Sequence, residues 1–93
     1  MSRRLIRSPT FVRAAQRLLK KNPDCAGGLR AALERLADDA HHPSLRTHKL
    51  KGDLEGLWAC RAGYDLRIVF SFVPHEGEQA VLLQTVGTHD EVY

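Results

Sequence analysis

The stretch HKLKGDLEGLWACRAGYDLR, residues 48–67, joins a histidine and several basic side chains to glycines. It leads directly into an apolar segment, and the C-terminal residues 87–93, GTHDEVY, supply a second histidine. Glycine frees the backbone for turns, whereas the apolar segment favours a strand. We therefore expect these two stretches to carry the function and the remainder of the chain to form the scaffold.

Length and composition predict one small domain. The chain has 93 residues, of which 43% are hydrophobic. This is enough for a single core but too little for two. We expect residues 1–93 to form one domain.

The charges are unevenly distributed. The chain contains fourteen Lys and Arg residues and eleven Asp and Glu residues, which gives a formal net charge of +3. Residues 1–21 contain seven basic side chains and no acid, whereas residues 75–93 contain four acids and neither Lys nor Arg. A basic surface of this kind attracts polyanions such as nucleic acid. A solvated helix face explains the same charges equally well.

The cysteines and the hydropathy pattern indicate a cytoplasmic protein without a metal or other cofactor. Cys25 and Cys60 have no CxxC spacing and no accompanying ligands. No apolar run approaches the roughly 18 residues of a membrane span. The N-terminal residues 1–10, MSRRLIRSPT, lack the apolar core of a secretion signal.

The first half of the chain predicts a short strand followed by two helices. Ser8-Pro9 combines a hydroxyl N-cap with proline at the first helical position, after the strand RRLIR at 3–7. Apolar residues then recur at helical spacing up to residue 19, with basic residues between them. A break at 22–24 separates this helix from a second one, which we expect Asp24 to cap.

The second half predicts a loop over 44–56 and three strands, at 57–62, 66–73 and 80–86. The order β-α-α-β-β-β indicates an α+β fold, with a twisted antiparallel sheet and a helical hairpin packed on one face. Arg67 lies between two core-facing residues and should point to the open face. Arg61 should lie opposite Leu66 after a two-residue turn, or opposite Arg67 after an odd-numbered loop, and the sequence leaves both possible.

Several polar residues suit the cleavage of RNA without a metal. A histidine titrates near neutral pH and can withdraw or return a proton, while arginine and lysine stabilise charge on a phosphorane. Taken singly, the lysines are also explained as solvated loop charges, the aspartate as a turn residue and the tyrosine as part of a frayed terminus. The candidates come from three separate segments: His48, Lys49, Lys51, Arg61, Asp65, Arg67, His89 and Tyr93.

Three motifs in this order, HKLKG, GLWACRAGYDLRIVF and VGTHDEVY, resemble those of the RelE/ParE superfamily of toxin-antitoxin toxins, and within it the YafQ-like mRNA interferases. The resemblance extends over essentially the whole chain. It implies a cytoplasmic endoribonuclease that cuts mRNA on the translating ribosome and is held inactive by a cognate antitoxin. Attack by the 2′-hydroxyl would leave a 2′,3′-cyclic phosphate.

The resemblance also implies roles for individual residues. His48 and His89 match the two catalytic histidines of the motifs, with the division between acid and base left open. Asp65 matches an acidic hairpin residue, Tyr93 a terminal aromatic that contacts the substrate base, and Arg67 a phosphate-stabilising arginine. Arg61 departs from the pattern, because YafQ-like toxins carry another catalytic histidine there; an arginine can still stabilise the transition state.

The basic side chains of the first helix, Arg13, Arg17, Lys20 and Lys21, are expected to contact ribosomal RNA. A ParE-type inhibitor of DNA gyrase is the alternative within the same superfamily, although such relatives generally lack paired histidines. An inactive toxin that acts as co-repressor with its antitoxin is a third possibility.

Overall fold

A computed structural model describes residues 2–93. Its elements are β1 (Leu5–Arg7), α1 (Pro9–Lys21), α2 (Ala26–Asp38), β2 (His48–Lys49), β3 (Trp58–Arg61), β4 (Leu66–His75), β5 (Glu78–Thr88) and α3 (His89–Val92), with 3-10 turns at Pro23–Cys25, Pro43–Leu45 and Gly52–Leu54. The α+β class and the helical hairpin are confirmed. None of the helices within residues 2–93 has the length and apolar character needed to cross a membrane.

The first helix begins as its sequence predicts. Ser8 is the N-cap, and its hydroxyl accepts a hydrogen bond of 3.0 Å from the Phe11 amide. The same hydroxyl donates to the carbonyl of Gln84 at 3.1 Å, which ties the start of α1 to β5. The cap therefore fixes both the helix and its position beside the sheet.

The second helix begins differently from the prediction. It starts at Ala26 after a 3-10 turn, and its N-cap residue Cys25 makes no side-chain capping bond. Asp24 lies inside that turn, so the prediction that it caps α2 was wrong. Pro23 starts the 3-10 turn and thereby moves the start of the helix past Asp24.

The sheet has the order β1-β5-β4-β3-β2. β4 pairs antiparallel with both β3 and β5, whereas β1 runs parallel to β5. The sheet is therefore mixed, which corrects the expectation of a wholly antiparallel one. β4 is paired on both sides, so β1 can join the sheet only at the outer edge of β5 or of β2, and it pairs with β5. No hairpin connects β1 to β5, so β1 is free to run parallel to it.

The two faces of the sheet differ in what covers them. Register pairs Cys60↔Ile68 and Phe70↔Leu83 lie on the face that packs against the helices. The alternate pair Arg61↔Arg67 lies on the opposite face, because successive residues of a strand point to opposite sides. His48 pairs with Ala59, two residues before Arg61, and therefore lies on the same second face.

Candidate active site

Tyr93 connects the two histidines that the sequence singles out. Its hydroxyl lies 3.4 Å from Nε2 of His48, and its ring meets the imidazole of His89 edge-on with the ring centroids 4.6 Å apart. Tyr93 and His48 are exposed to solvent, and so is His89. Two histidines that lie far apart in the sequence thus become neighbours through Tyr93.

The backbone around His48 decides which of its nitrogens is free. Nδ1 lies 2.9 Å from the carbonyl oxygen of Arg46, which can only accept, so Nδ1 carries the hydrogen in this bond. The neutral imidazole then has its lone pair on Nε2, the atom that faces Tyr93. Arg46 presents its carbonyl from a left-handed conformation with φ of 49°. Nε2 can therefore accept a proton, and the Tyr93 hydroxyl is its neighbour in this structure.

The position of His89 is fixed by the loop between β3 and β4. The amide of His89 donates to the carbonyl of Asp65 at 3.0 Å, and the short helix α3 begins there. Tyr93 follows one turn later, with its amide donating to the carbonyl of His89 at 3.1 Å. Residues four positions apart share one face of a helix, which explains the contact between the two rings.

Arg61 and Arg67 form a cross-strand pair on the same face. The register Arg61↔Arg67 corresponds to the odd-numbered loop, so the structure selects one of the two possibilities that the sequence left open. Both side chains are half-buried, and within residues 2–93 neither guanidinium has an acidic partner within ion-pair distance. Like charges directly opposite each other are destabilising. An anion between them would relieve this repulsion.

The electrostatics of Tyr93 agree with this placement. Although Tyr93 is exposed to solvent, the partial burial of its phenol raises the pKa of Tyr93, and the positive charge of Arg67 acts against that increase. The phenol therefore stays protonated at neutral pH and keeps a hydrogen to donate. Arg67 is thus close enough to Tyr93 for its charge to act on the phenol.

Asp65 contributes through its backbone. Its carbonyl accepts the hydrogen bond from the His89 amide. Asp65 also lines a cleft of about 850 Å³ between α1, the start of α2 and α3. Its carboxylate has no hydrogen bond or ion pair with His48 or His89 among the described residues. The catalytic role of Asp65 stays a prediction.

The basic residues fall into separate groups. Lys49 pairs with Trp58 and extends over its indole ring, with Nζ 5.4 Å from the ring centroid, on the face opposite His48. Lys51 is exposed just before the 3-10 turn Gly52–Leu54. The remaining four lie exposed along α1: Arg13, Arg17, Lys20 and Lys21.

Two features of the site are not predicted from the sequence. One is the contact of Tyr93 with His48, for which the sequence carries no local signal. The other is the capping box of α3, in which Thr88 and Glu91 bond to each other's backbone amides. The spacing Thr-x-x-Glu at 88–91 is the signal that could have revealed it.

Metal ligation requires several donor side chains that lie together. Within residues 2–93, no three His, Cys, Asp or Glu side chains lie together in a way that would hold a metal ion. Metal-independent chemistry stays a prediction.

The chain shares its fold with solved structures of YafQ and YoeB/ParE toxins, in agreement with the fold that the sequence motifs implied. YafQ from E. coli strain BL21(DE3) aligns with a TM-score of 0.80 at 14% identity, covering 98% of both chains. A YoeB/ParE toxin from Agrobacterium tumefaciens aligns with a TM-score of 0.74 at 15% identity, covering 92% of this chain and 98% of its own.

The E. coli DinJ-YafQ toxin-antitoxin complex contains a chain that aligns with a TM-score of 0.77 at 15% identity, covering 100% of this chain and 99% of that one. No protein-family model and no curated protein sequence matches the chain. These similarities establish the fold alone.

Proposed function

We propose that this chain is the toxin of a type II toxin-antitoxin system and acts as an endoribonuclease on mRNA in the translating ribosome. The observation that carries the proposal is the contact of Tyr93 with both His48 and His89, on the sheet face where Arg61 and Arg67 are paired across adjacent strands. Two proton-transfer groups and two positive charges on one face suit the cleavage of a phosphodiester.

In this mechanism His48 is the base. Its Nε2 takes the proton of the RNA 2′-hydroxyl while the 2′-oxygen attacks phosphorus, and the bond from Nδ1 to the Arg46 carbonyl holds the required tautomer. His89, as imidazolium, returns a proton to the 5′-oxygen as its bond to phosphorus breaks. The products are a 2′,3′-cyclic phosphate and a free 5′-hydroxyl.

The arginines stabilise the pentavalent intermediate. The sheet pairs Arg61 with Arg67 on adjacent strands, and Nη1 of Arg67 donates to the carbonyl of Leu66 at 2.9 Å, which orients that guanidinium before the charge develops. The half-burial of both side chains strengthens their interaction with a bound phosphate relative to water. Tyr93 lies between the histidines and would orient the substrate base.

The test is cleavage of mRNA on purified translating ribosomes, with the 5′ ends of the products mapped. His48→Ala and His89→Ala should each lower the rate by roughly 10²- to 10⁴-fold, the usual contribution of a general acid or base. His75→Ala is a matched control, because His75 lies at the far end of β4 beside Glu76. Thermal unfolding should be nearly unchanged in all three variants, since the histidines are not in the core.

A folded double variant, His48→Ala with His89→Ala, that keeps its toxicity in cells would reject this mechanism. It would instead favour a ParE-type activity, in which toxicity follows from inhibition of gyrase and does not depend on histidines. Stalled DNA replication with intact mRNA would be the accompanying observation.

The proposed partner is a cognate antitoxin, as in the E. coli DinJ-YafQ complex. An acidic or amphipathic segment that folds on binding would cover the positive charges of the open face and of α1. Co-expression with the adjacent reading frame should relieve toxicity and yield a stable complex. Failure of both would remove the main support for the toxin assignment.

The proposed site of action is the ribosome in the cytoplasm. Replacing the basic residues of α1 with alanine should weaken ribosome binding and reduce the slope of affinity against salt, by about one unit for each phosphate that is no longer neutralised. The chemical step should be unaffected. Full affinity at every salt concentration would show that this face is only solvated. The residues to be replaced are Arg13, Arg17, Lys20 and Lys21.

A further inference from the structure

The helix α3 carries His89 and leads directly into Tyr93, but it has only four residues, His89–Val92. A helix this short is unstable alone, because the formation of the first turn is unfavourable. The geometry of the proposed site therefore depends on whatever holds α3 against the rest of the molecule.

Glu91 makes the bond that closes the start of this helix. Its Oε1 accepts a hydrogen bond of 2.9 Å from the amide of Thr88, and the hydroxyl of Thr88 accepts one of 3.3 Å from the amide of Glu91. Two amides that would otherwise lack an intrahelical partner are satisfied by this reciprocal arrangement.

The charge of Glu91 is favoured by its surroundings. Its bonds with the backbone and side chain of Thr88 lower the pKa of Glu91, and the positive charges of Lys21 and Arg17 act in the same direction. The carboxylate is therefore ionised at neutral pH. It lines the cleft of about 850 Å³ to which the basic last turn of α1 also contributes.

Gly87 provides the space for α3 to fold back. A Cβ at this position would lie 3.1 Å from Oε1 and 3.2 Å from Cβ of Glu91, and 3.4 Å from Cγ1 of Val92. The first two distances are shorter than a comfortable van der Waals contact. A glycine at this position therefore allows β5 and α3 to approach this closely without displacement.

From these contacts we propose that Glu91 is a positioning residue for the proposed cleavage, acting through the capping box with Thr88. It does not reach the reacting atoms. Its carboxylate holds α3 packed against Gly87. This packing places Tyr93 beside His48 and keeps the Tyr93 ring in contact with His89. The inference rests on the proposed function for its catalytic consequence, but its structural content is independent of that function.

The test compares variants of the full chain by nuclear magnetic resonance and by ribosomal cleavage. In the wild type, nuclear Overhauser contacts should join the Tyr93 ring to the imidazole protons of His48 and His89. Glu91→Ala should weaken both contacts and lower kcat by roughly two- to tenfold with little change in KM, the size expected when a cap is removed. Gly87→Ala should reproduce both effects by displacing α3.

Glu91→Gln is the conservative variant, because glutamine at this position also completes a capping box. It should restore the Tyr93 contacts and most of kcat. Glu34→Ala is the matched control, since Glu34 is an exposed carboxylate on α2 and should change neither measurement.

Persistence of the Tyr93 contacts and of kcat in Glu91→Ala would overturn the proposal, as would failure of Glu91→Gln to recover them. A wild-type protein that cuts no RNA would reject the proposed function alone. In that case the nuclear Overhauser contacts of the same variants still decide whether Glu91 positions α3.

Discussion

The two faces of the sheet use adjacent residues of the same strands for opposite purposes. Cys60 and Ile68 are fully buried against the helices, whereas their neighbours Arg61 and Arg67 lie half-exposed on the other side. The buried face is apolar and stabilises the fold because its side chains are removed from water. The other face sets two like charges opposite each other, which destabilises it.

This difference places a cost in stability on the face to which the proposed function is assigned. A pair of arginines buried under another element would require acidic partners. A pair that remains accessible to solvent can bind an anion from solution. Substitutions confined to one face can therefore show whether the two faces have separate roles.

The largest expected effect concerns the thiol on the buried face. Burial raises the pKa of Cys60 to about 12. At pH 8 its thiolate fraction is then roughly 10⁻⁴, so alkylation of native Cys60 should be at least about 10³-fold slower than that of a free thiol. Mass spectrometry after iodoacetamide treatment should find Cys25, which is partly exposed, labelled first. Equal labelling of Cys25 and Cys60 in the folded protein would contradict the burial of Cys60 between the sheet and the helices.

Arg67→Ala tests the open face through chemistry. Removal of this charge should lower ribosomal cleavage by roughly 10²- to 10³-fold, as for the loss of one oxyanion donor. Arg67→Lys should recover only part of the rate, because lysine keeps the charge but not the planar fork. Arg30→Ala, which replaces an exposed arginine on α2, serves as control. An unchanged rate in Arg67→Ala would mean that the pair does not contact the scissile phosphate.

The next effect is on stability. Phe70 is fully buried on the helix-covered face, so Phe70→Ala should lower the free energy of unfolding by about 3–5 kcal/mol. Ser71, the next residue, lies on the other face, and Ser71→Ala should cost less than about 1 kcal/mol, the value of its weak bond from Gln84. Urea denaturation measures both, and similar decreases would show that the two faces are equally packed.

The smallest effect is an expected gain in stability. Arg61→Ala removes one of two opposed like charges, so the free energy of unfolding should rise by roughly 0.2–1 kcal/mol at low salt. The gain should shrink in 1 M NaCl, where charges are screened within about 3 Å. The same variant should cleave more slowly. A variant that is less stable would show that Arg61 contributes packing beyond its charge.

Local patterns in the sequence were sufficient for most of the scaffold. The Ser8-Pro9 signal and the helical spacing that follows predicted α1, because a cap and an apolar stripe act within one helix. Alternation along 66–73 predicted the strand β4 and the outward direction of Arg67 for a similarly local reason. The α+β class also followed from the order of the helices and strands that these patterns predicted.

Predictions that depended on distant partners were less accurate. The parallel pairing of β1 with β5, in which Leu5 faces Val81, has no signal in either segment. Lys49 lies in β2, and its pairing with Trp58 of β3 decides which face of the sheet it occupies. The sequence predicted only a loop over 44–56, so neither β2 nor this pairing was expected. Asp24 does not cap α2 because Pro23 starts a 3-10 turn before that helix.

The sequence by itself determined the helices, the long strands, the charge distribution and the identity of His48, His89 and the arginines as candidates for chemistry. Only the tertiary structure decided that Arg61 faces Arg67 and that Tyr93 reaches His48. The reason is physical. Helix caps and hydrophobic periodicity act between residues a few positions apart, whereas strand register and the return of the C-terminus depend on contacts formed across the whole fold.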